Sequence, residues 1–264
     1  NGNDFTPYGF NSDSVVADSP SNNYCTINPV ASFVNSDCGG VLSDGNLNFY
    51  GYDGSGNGYP DTYGTFPFSS GKWYFEIDAK SLLSGAYFGM VDPSTIVDST
   101  YPMNHVGCVS WNPAESGGFI RVDGVDTPYG AKASDGDILG IAIDVDGQTF
   151  EGFINGTGYG KFDISSAAVG SGLRVPMIVL FGDAGTGGEV LLNFGQRSWA
   201  HEPPSGYLPL CTQNLPDTLV NPKDNFSAVT YTGAGGTYSL TGVGFKPSLV
   251  WTKMRSGVER HNIA

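Results

Sequence analysis

The sequence predicts an all-β protein: two antiparallel sheets packed as a sandwich, followed by the start of a second β-rich unit. Three observations carry that reading. Apolar residues recur with period two over several short stretches, the pattern of strands with one face buried. No stretch holds apolar spacing at i, i+3, i+4 and i+7 for three turns, and glycines interrupt every candidate helix. Asn-Gly, Asp-Gly and Pro-containing turns punctuate the chain at short intervals, as many short strands require. The inventory of 4 Trp and 16 Phe suits two inner sheet faces, which pack about 10 Å apart.

Taken in order, the first strong strand is Lys72-Trp-Tyr-Phe-Glu-Ile-Asp-Ala79. Alternation sends Trp73, Phe75, Ile77 and Ala79 one way and Tyr74, Glu76 and Asp78 the other, so the strand is expected to be half-buried. Further strands are expected at Ala86 to Val91, Val106 to Trp111 and Phe119 to Val122, the last closed by Asp123-Gly124. Ile138-Leu-Gly-Ile-Ala-Ile-Asp144 is nearly continuous in apolar residues and belongs in the middle of a sheet. It runs into Asp146-Gly147, expected as a hairpin turn with both central residues at positive φ. The return strand, Thr149 to Ile154, ends at Asn155-Gly156, a turn of the same kind. Val175 to Phe181 and Val190 to Phe194 complete the set.

Two segments break the rhythm. Residues 50 to 63 are expected as a loop of Gly, Asn and Tyr, carrying Tyr50, Tyr52, Tyr59 and Tyr63. Residues 95 to 105 form a second, polar loop with Tyr101, Met103 and His105. Beyond the sandwich, assigned to 1–216 with its lead-in, the prolines and charges of 217–225 read as a linker. Residues 226–264 are expected to begin a second, truncated β domain, because a stretch this short cannot build a usual core. A new strand pair is expected to start within Tyr231 to Trp251.

Composition excludes several classes of function. With 12 Lys+Arg against 26 Asp+Glu, the formal charge is −14, and no basic stripe is available to track phosphates, so nucleic acid is not an expected partner. An anionic membrane surface is excluded on the same ground. No apolar run approaches the roughly 20 residues that span a bilayer, so no membrane insertion is expected. Disorder is excluded by 39% apolar and 13% aromatic residues. Collagen is excluded because the 39 glycines keep no three-residue period. The chain begins at Asn1 and shows no signal peptide, so a leader or upstream domain can be missing.

The reactive side chains give little chemistry. Cys25, Cys38, Cys108 and Cys211 include no C-x-x-C spacing, and Cys108 reads as a small buried hydrophobe within a strand. Cys25 and Cys38 are placed to close a loop, or to remain free. The bases available near neutral pH are His105, His201 and His261. His201-Glu202 runs into Pro203-Pro204, so it is no zinc-binding helix, and no G-x-S-x-G elbow occurs. Gly156-Thr-Gly-Tyr-Gly-Lys161 has the wrong spacing for a phosphate loop and is followed by Phe162. Paired carboxylates of a glycosidase can hide among 26 acids. No catalytic residue and no cofactor are assigned, and the expected answer is a protein that is not an enzyme. Asp144 and Asp146 are the one weak candidate pair for Ca²⁺, and a solvated hairpin explains them as well.

The tyrosine-rich segments are the candidate ligand-binding feature. Tyrosine supplies flat amphipathic contact area at low entropic cost, while Gly, Ser and Asn supply adaptable hydrogen bonds. Tyr50, Tyr52, Tyr59, Tyr63, Tyr101 and His105 are therefore the candidate binding residues, for a sugar ring or a peptide. The alternative is that these rings fold their loop back onto the sandwich.

Over Gly71 to Pro216 the chain resembles a SPRY (B30.2-like) domain. The resemblance rests on Gly71-Lys-Trp-Tyr-Phe-Glu76, Gly136-Asp-Ile-Leu-Gly-Ile-Ala-Ile-Asp-Val-Asp146, Phe153-Ile-Asn-Gly156, Asn193-Phe-Gly-Gln196 and Pro203-Pro-Ser-Gly-Tyr207, in the right order. Asp18-Ser-Pro-Ser-Asn-Asn-Tyr-Cys-Thr-Ile-Asn-Pro29 and Leu42-Ser-Asp-Gly-Asn-Leu47 are similar to the lead-in of SPRY modules in bacteriophage tail-fibre and related virion proteins. Cys211-Thr-Gln-Asn-Leu-Pro216 and Tyr231 to Trp251 resemble the exit from that module. The resemblance implies a bent concanavalin- or SPRY-like jelly roll whose loops bind partners without chemistry of their own. It implies location in a virion, contact with other virion subunits and with a host-surface glycan or protein, and a homo-oligomer, commonly a trimer. A secreted or cell-surface bacterial carbohydrate-binding module, or the accessory domain of a hydrolase, is the alternative. Partner-binding residues of animal SPRY proteins belong to different architectures and are not carried over.

Overall fold

The computed structural model describes residues 22–30, 38–53, 59–95, 101–166, 172–181, 186–215, 226–233, 235–237, 239–255, 257 and 261–264. The chain divides into two compact units, Asn1–Leu215 and Pro216–Ala264.

The strands of the first unit are β1 (Cys38–Ser43), β2 (Asn48–Asp53), β3 (Asp61–Tyr63), β4 (Lys72–Ser81), β5 (Tyr87–Val91), β6 (Val109–Asn112), β7 (Phe119–Val122), β8 (Val125–Pro128), β9 (Ile138–Asp144), β10 (Thr149–Ile154), β11 (Thr157–Gly158), β12 (Phe162–Asp163), β13 (Val175–Val179), β14 (Gly188–Asn193) and β15 (Leu208–Pro209). They form two sheets. A nine-stranded sheet runs β1-β2-β14-β4-β9-β10-β11, with β12 on β10 and β15 parallel to β4. A six-stranded sheet runs β3-β13-β5-β6-β7-β8 and is antiparallel throughout. Among the described residues the only helical elements are short 3-10 turns at Pro93–Thr95 and Pro102–Asn104. No helix among them is long and apolar enough to cross a membrane. The molecule is an all-β antiparallel sandwich.

The core lies between the sheets. Phe49, Trp73, Phe75, Ile77, Leu139, Ile141, Phe150, Val190 and Leu192 of the larger sheet meet Phe88, Met90, Val109, Trp111, Ile120 and Ile178 of the smaller. At about 25 cal/mol per Å² of apolar surface removed from water, these facing side chains are the main stabilising force. As its apolar run implies, β9 is internal, paired with β4 on one side and β10 on the other.

Several expectations change in detail. Trp73, Phe75, Ile77 and Ala79 do face the core, but Tyr74 and Glu76 on the other face are buried as well. The reason is a strap, residues 197–207, that crosses this outer face. The Ala200 and His201 amides donate to the Glu76 carboxylate at 2.8 Å each, and Trp199 packs edge-on against Tyr74 at 5.2 Å. Two turns match expectation: Asp123-Gly124 and Asn155-Gly156 each hold both residues at positive φ. The β9–β10 turn does not. It spans four residues, its left-handed position is Gln148 at φ 51°, and the Asp144 carboxylate accepts the Gly147 amide at 2.7 Å.

Residues 50 to 63 are not one loop. Tyr50 and Tyr52 lie in β2 and Tyr63 in β3, while residues 54–58 fall outside the described residues. Cys25 is free and buried, which rules out the Cys25–Cys38 bridge, and burial pushes its thiol up to about 11. Cys108 is buried too, its thiol pushed up to about 12 by burial, as suits a packing residue.

The second unit is built differently. Its strands are β16 (Trp251–Thr252) and β17 (Asn262–Ile263), paired antiparallel. The Trp251 indole N–H donates to His261 Nδ1 at 2.8 Å. Between residues 231 and 250 the described residues form no strand, and pairing starts at Val250, which exchanges backbone hydrogen bonds with Ala264 at 2.8 and 2.9 Å. Gly235, Gly242 and Gly244 take positive φ there, which interrupts an extended chain. No described residue of this unit is buried.

Candidate binding surface

The outer face of the six-stranded sheet carries a cluster of ring side chains with an exposed crest. Alternation builds it. In β5, Phe88 and Met90 enter the core, so Tyr87 and Val91 face out; in β7, Ile120 enters the core, so Phe119 and Arg121 face out. Registry then aligns them: Val179 pairs with both Asp61 and Tyr87, and Ser110 pairs with both Gly89 and Arg121. Gly89 is required by close approach, since a Cβ there would stand 2.1 Å from the Val109 carbonyl oxygen.

This outer face has its own small core. Tyr63, Tyr87, Val91, Met103, Cys108, Val175, Met177 and Val179 are buried together. Met103 comes from the 3-10 turn, so that turn is anchored to the sheet. Arg121 spans the upper layer. Its guanidinium lies over the rings of Tyr87 and Phe119 at 5.2 and 5.6 Å. It donates to both oxygens of Asp126, at 2.5 and 2.7 Å, and to Asn104 at 3.0 Å. With its charge matched by Asp126 and its face stacked on two rings, Arg121 fixes the aromatic surface and is not a free anion receptor.

Tyr59 and Tyr101 form the exposed crest. Tyr101 meets Tyr59 edge-on at 5.0 Å, and Tyr59 also touches Phe181 at 5.3 Å and Tyr87 at 6.4 Å. Tyr101 is 47% exposed. Burial, with Tyr87 and Tyr101 nearby, raises the Tyr59 hydroxyl above its ordinary value, so it stays a neutral donor. Beneath the crest, the Tyr63 hydroxyl donates to the buried Asp61 carboxylate. Burial pushes Asp61 up to about 7, against the opposing effect of that hydrogen bond. His105 is half-buried beside the anchored turn, and burial lowers its pKa while a backbone hydrogen bond at Thr95 works the other way.

The six sequence-level candidates therefore separate. Tyr59 and Tyr101 meet at the crest, Tyr63 is buried below it, and His105 borders the turn. Tyr50 and Tyr52 stand on the other sheet, stacked on each other at 6.0 Å. Tyr87, Phe119, Arg121 and Phe181 were missed. The signal for two of them was present, since alternation around Ile120 puts Phe119 and Arg121 on one face.

The acids have structural duties. Asp144 pairs with Lys72 at 3.0 Å, and Asp146 accepts the Gly71 amide at 2.9 Å. Both tie the β9–β10 turn to the start of β4. Burial opposes the charge of Asp144, yet the Gly147 amide and Lys72 hold its pKa below the ordinary carboxylate value. Among the described residues no group of three or more His, Cys, Asp or Glu side chains is placed to hold a metal. Beside the strap, Glu76 and Asp78 line a shallow groove with Leu191 and Arg197. Glu76 is occupied by strap amides and Asp78 by Lys80.

Residues 221–264 match the family model of a domain of unknown function, DUF7483. No curated protein matches the sequence. Among solved structures, the chain is similar to the SPRY domain of human HERC1, at 14% identity and TM-score 0.47, over 63% of this chain and 96% of that one. It is similar to the TRIM65 PSpry domain at 14% identity and TM-score 0.47, over 65% and 92%. A human SPRY domain matches at 18% identity and TM-score 0.43, over 64% and 96%.

Proposed function

We propose that the protein is a non-catalytic adhesion component of a virion, a phage tail fibre or a related surface protein, which grips its partner on the aromatic outer face of the six-stranded sheet. The observation that carries the reading is the crest formed by Tyr59 and Tyr101, set on a layer already packed by Tyr87, Phe119 and Arg121. Rings held in place before binding lose little freedom when they engage, so contact area converts efficiently into affinity. The virion context rests on the resemblance of the lead-in and exit segments.

The same face narrows the partner. Arg121 is committed to Asp126, and the chain carries a net charge of −14. An acidic ligand therefore finds no free cation among the described residues of this face and a repelling field around it. A neutral host-surface glycan, or a protein patch rich in apolar and donor groups, fits the chemistry. Many weak sites on one particle supply avidity.

The test is binding to an array of bacterial surface glycans and to whole cells, comparing wild type with Tyr101→Ala and Tyr59→Ala. Binding is expected to fall about tenfold or more per ring, with folding unchanged, and to survive an increase in salt. Unchanged binding removes this face from consideration. Immunogold labelling of particles tests the virion assignment separately, and glycan binding without labelling favours a secreted carbohydrate-binding module.

A further inference from the structure

We propose that the outer edge of β1 is a self-association site, at which two copies of this chain pair their β1 strands antiparallel and continue the nine-stranded sheet across a two-fold axis. This surface is separate from the ligand-binding face.

The sheet edges are finished in different ways. An unpaired strand edge presents a row of N–H and C=O groups and invites another strand, so folded proteins blunt it with charge, proline or brevity. At the far side of the nine-stranded sheet, β11 is two residues long. In the smaller sheet, β3 is three residues long, and the Tyr63 carbonyl accepts the Asn28 amide at 2.8 Å. At its other side, β8 carries Asp126 and Pro128. β1 has none of these devices. It is six residues long, Cys38-Gly-Gly-Val-Leu-Ser43, without a charge or a proline. Its ladder partners all lie on β2, and among the described residues no backbone group bonds to its outer side.

The strand is also shaped for docking. A Cβ on Gly39 would stand 2.3 Å from the Tyr52 ring, and one on Gly40 would stand 2.6 Å from the Phe49 ring. The two rings cover the two glycines from opposite faces, which holds a flat edge that glycine alone would leave loose. Val41, 52% exposed, sits opposite Tyr50 on the outward face.

Charge selects the occupant. Copies carrying −14 each repel, and contact along an uncharged strip brings the fewest like charges together. β1 is such a strip, and Asp44 just beyond it is neutralised by Arg197. A basic partner would find no carboxylate on the strand. Antiparallel edge pairing is self-complementary about a two-fold axis, so one strip serves both copies. A six-residue edge falls short of the roughly 1,000 Å² of a stable interface, so the dimer is weak and concentration-dependent.

Sedimentation velocity on the full chain, from about 1 to 300 μM, reads the association, a range suited to a small interface. Hydrogen exchange of the peptide spanning 38–43 at both extremes locates it. The expected result is a dimer that grows with concentration while exchange slows at 38–43. Val41→Lys, at an exposed position, is expected to weaken dimerisation at least tenfold with an unchanged melting temperature, whereas Thr127→Lys on β8 leaves it intact. A monomer throughout the range overturns the proposal. So does association that survives Val41→Lys, or association abolished by Trp251→Ser without protection at 38–43.

Discussion

The two sheets treat their outer faces in opposite ways. On the nine-stranded sheet, Trp199 and Tyr207 of the strap pack against Tyr74 and Phe153, and Glu76 spends both carboxylate oxygens on strap amides. On the six-stranded sheet, a comparable set of rings is packed from below and left open at the top, where Tyr59 and Tyr101 reach solvent. Similar residue types thus do two jobs. Where polar groups are consumed by the chain itself, the face holds the fold together; where rings are fixed and uncovered, the face is available to a partner.

Substitutions can break this contrast. The largest effect is expected from Gly89→Ala, which drives a methyl group into the Val109 carbonyl and separates β5 from β6. A loss of about 3 kcal/mol is expected in urea unfolding, with the recognition face disturbed as a consequence. Glu76→Ala comes next. It strips two amides of a charged acceptor, and because the strap can be rehydrated the cost is set at about 2 kcal/mol. Glu76→Gln keeps an acceptor and is expected to recover part of that loss. Both Glu76 variants should leave glycan binding intact, and a binding loss without unfolding would erase the distinction between the faces.

A pH titration sharpens the contrast. Asp61 carries a pKa pushed up by burial to about 7, above its unfolded value. Its contribution is therefore fully present at acid pH, below the unfolded carboxylate value, and is lost as pH rises towards 7. Wild type is expected to lose on the order of 2 kcal/mol between pH 4 and 7 relative to Asp61→Asn, which cannot ionise. Parallel stability curves for the two proteins would contradict the buried setting of Asp61. The smallest stability effect belongs to Tyr101→Ala, under about 1 kcal/mol, because the ring is about half exposed and closes no core.

The central strands were legible because their sequences carry period two without interruption, as in Lys72 to Ala79 and Thr149 to Ile154. Asn155-Gly156 and Asp123-Gly124 were legible because a two-residue hairpin needs positive φ at both positions. Asp146-Gly147 misled for a definite reason: the Asp144 side chain caps the Gly147 amide and lengthens the turn, a contact that composition does not encode. β1 and β2 were hidden by their glycines, since Gly39 and Gly40 become strand residues only once Tyr52 and Phe49 cover them. The candidate site was half legible. Tyr59 and Tyr101 stood out as tyrosines in polar segments, but Tyr50 and Tyr52 parted from them because β2 and β3 belong to different sheets. Which face the strap would seal depended on long-range partners of Glu76 that no local pattern announces.

The claim that the open aromatic face is the recognition surface is tested most directly by the double variant Tyr59→Ala/Tyr101→Ala, assayed for cell and glycan binding alongside its melting temperature. Binding is expected to fall to background while the melting temperature moves by no more than about 4 °C. Retained binding by a folded double variant would contradict the account.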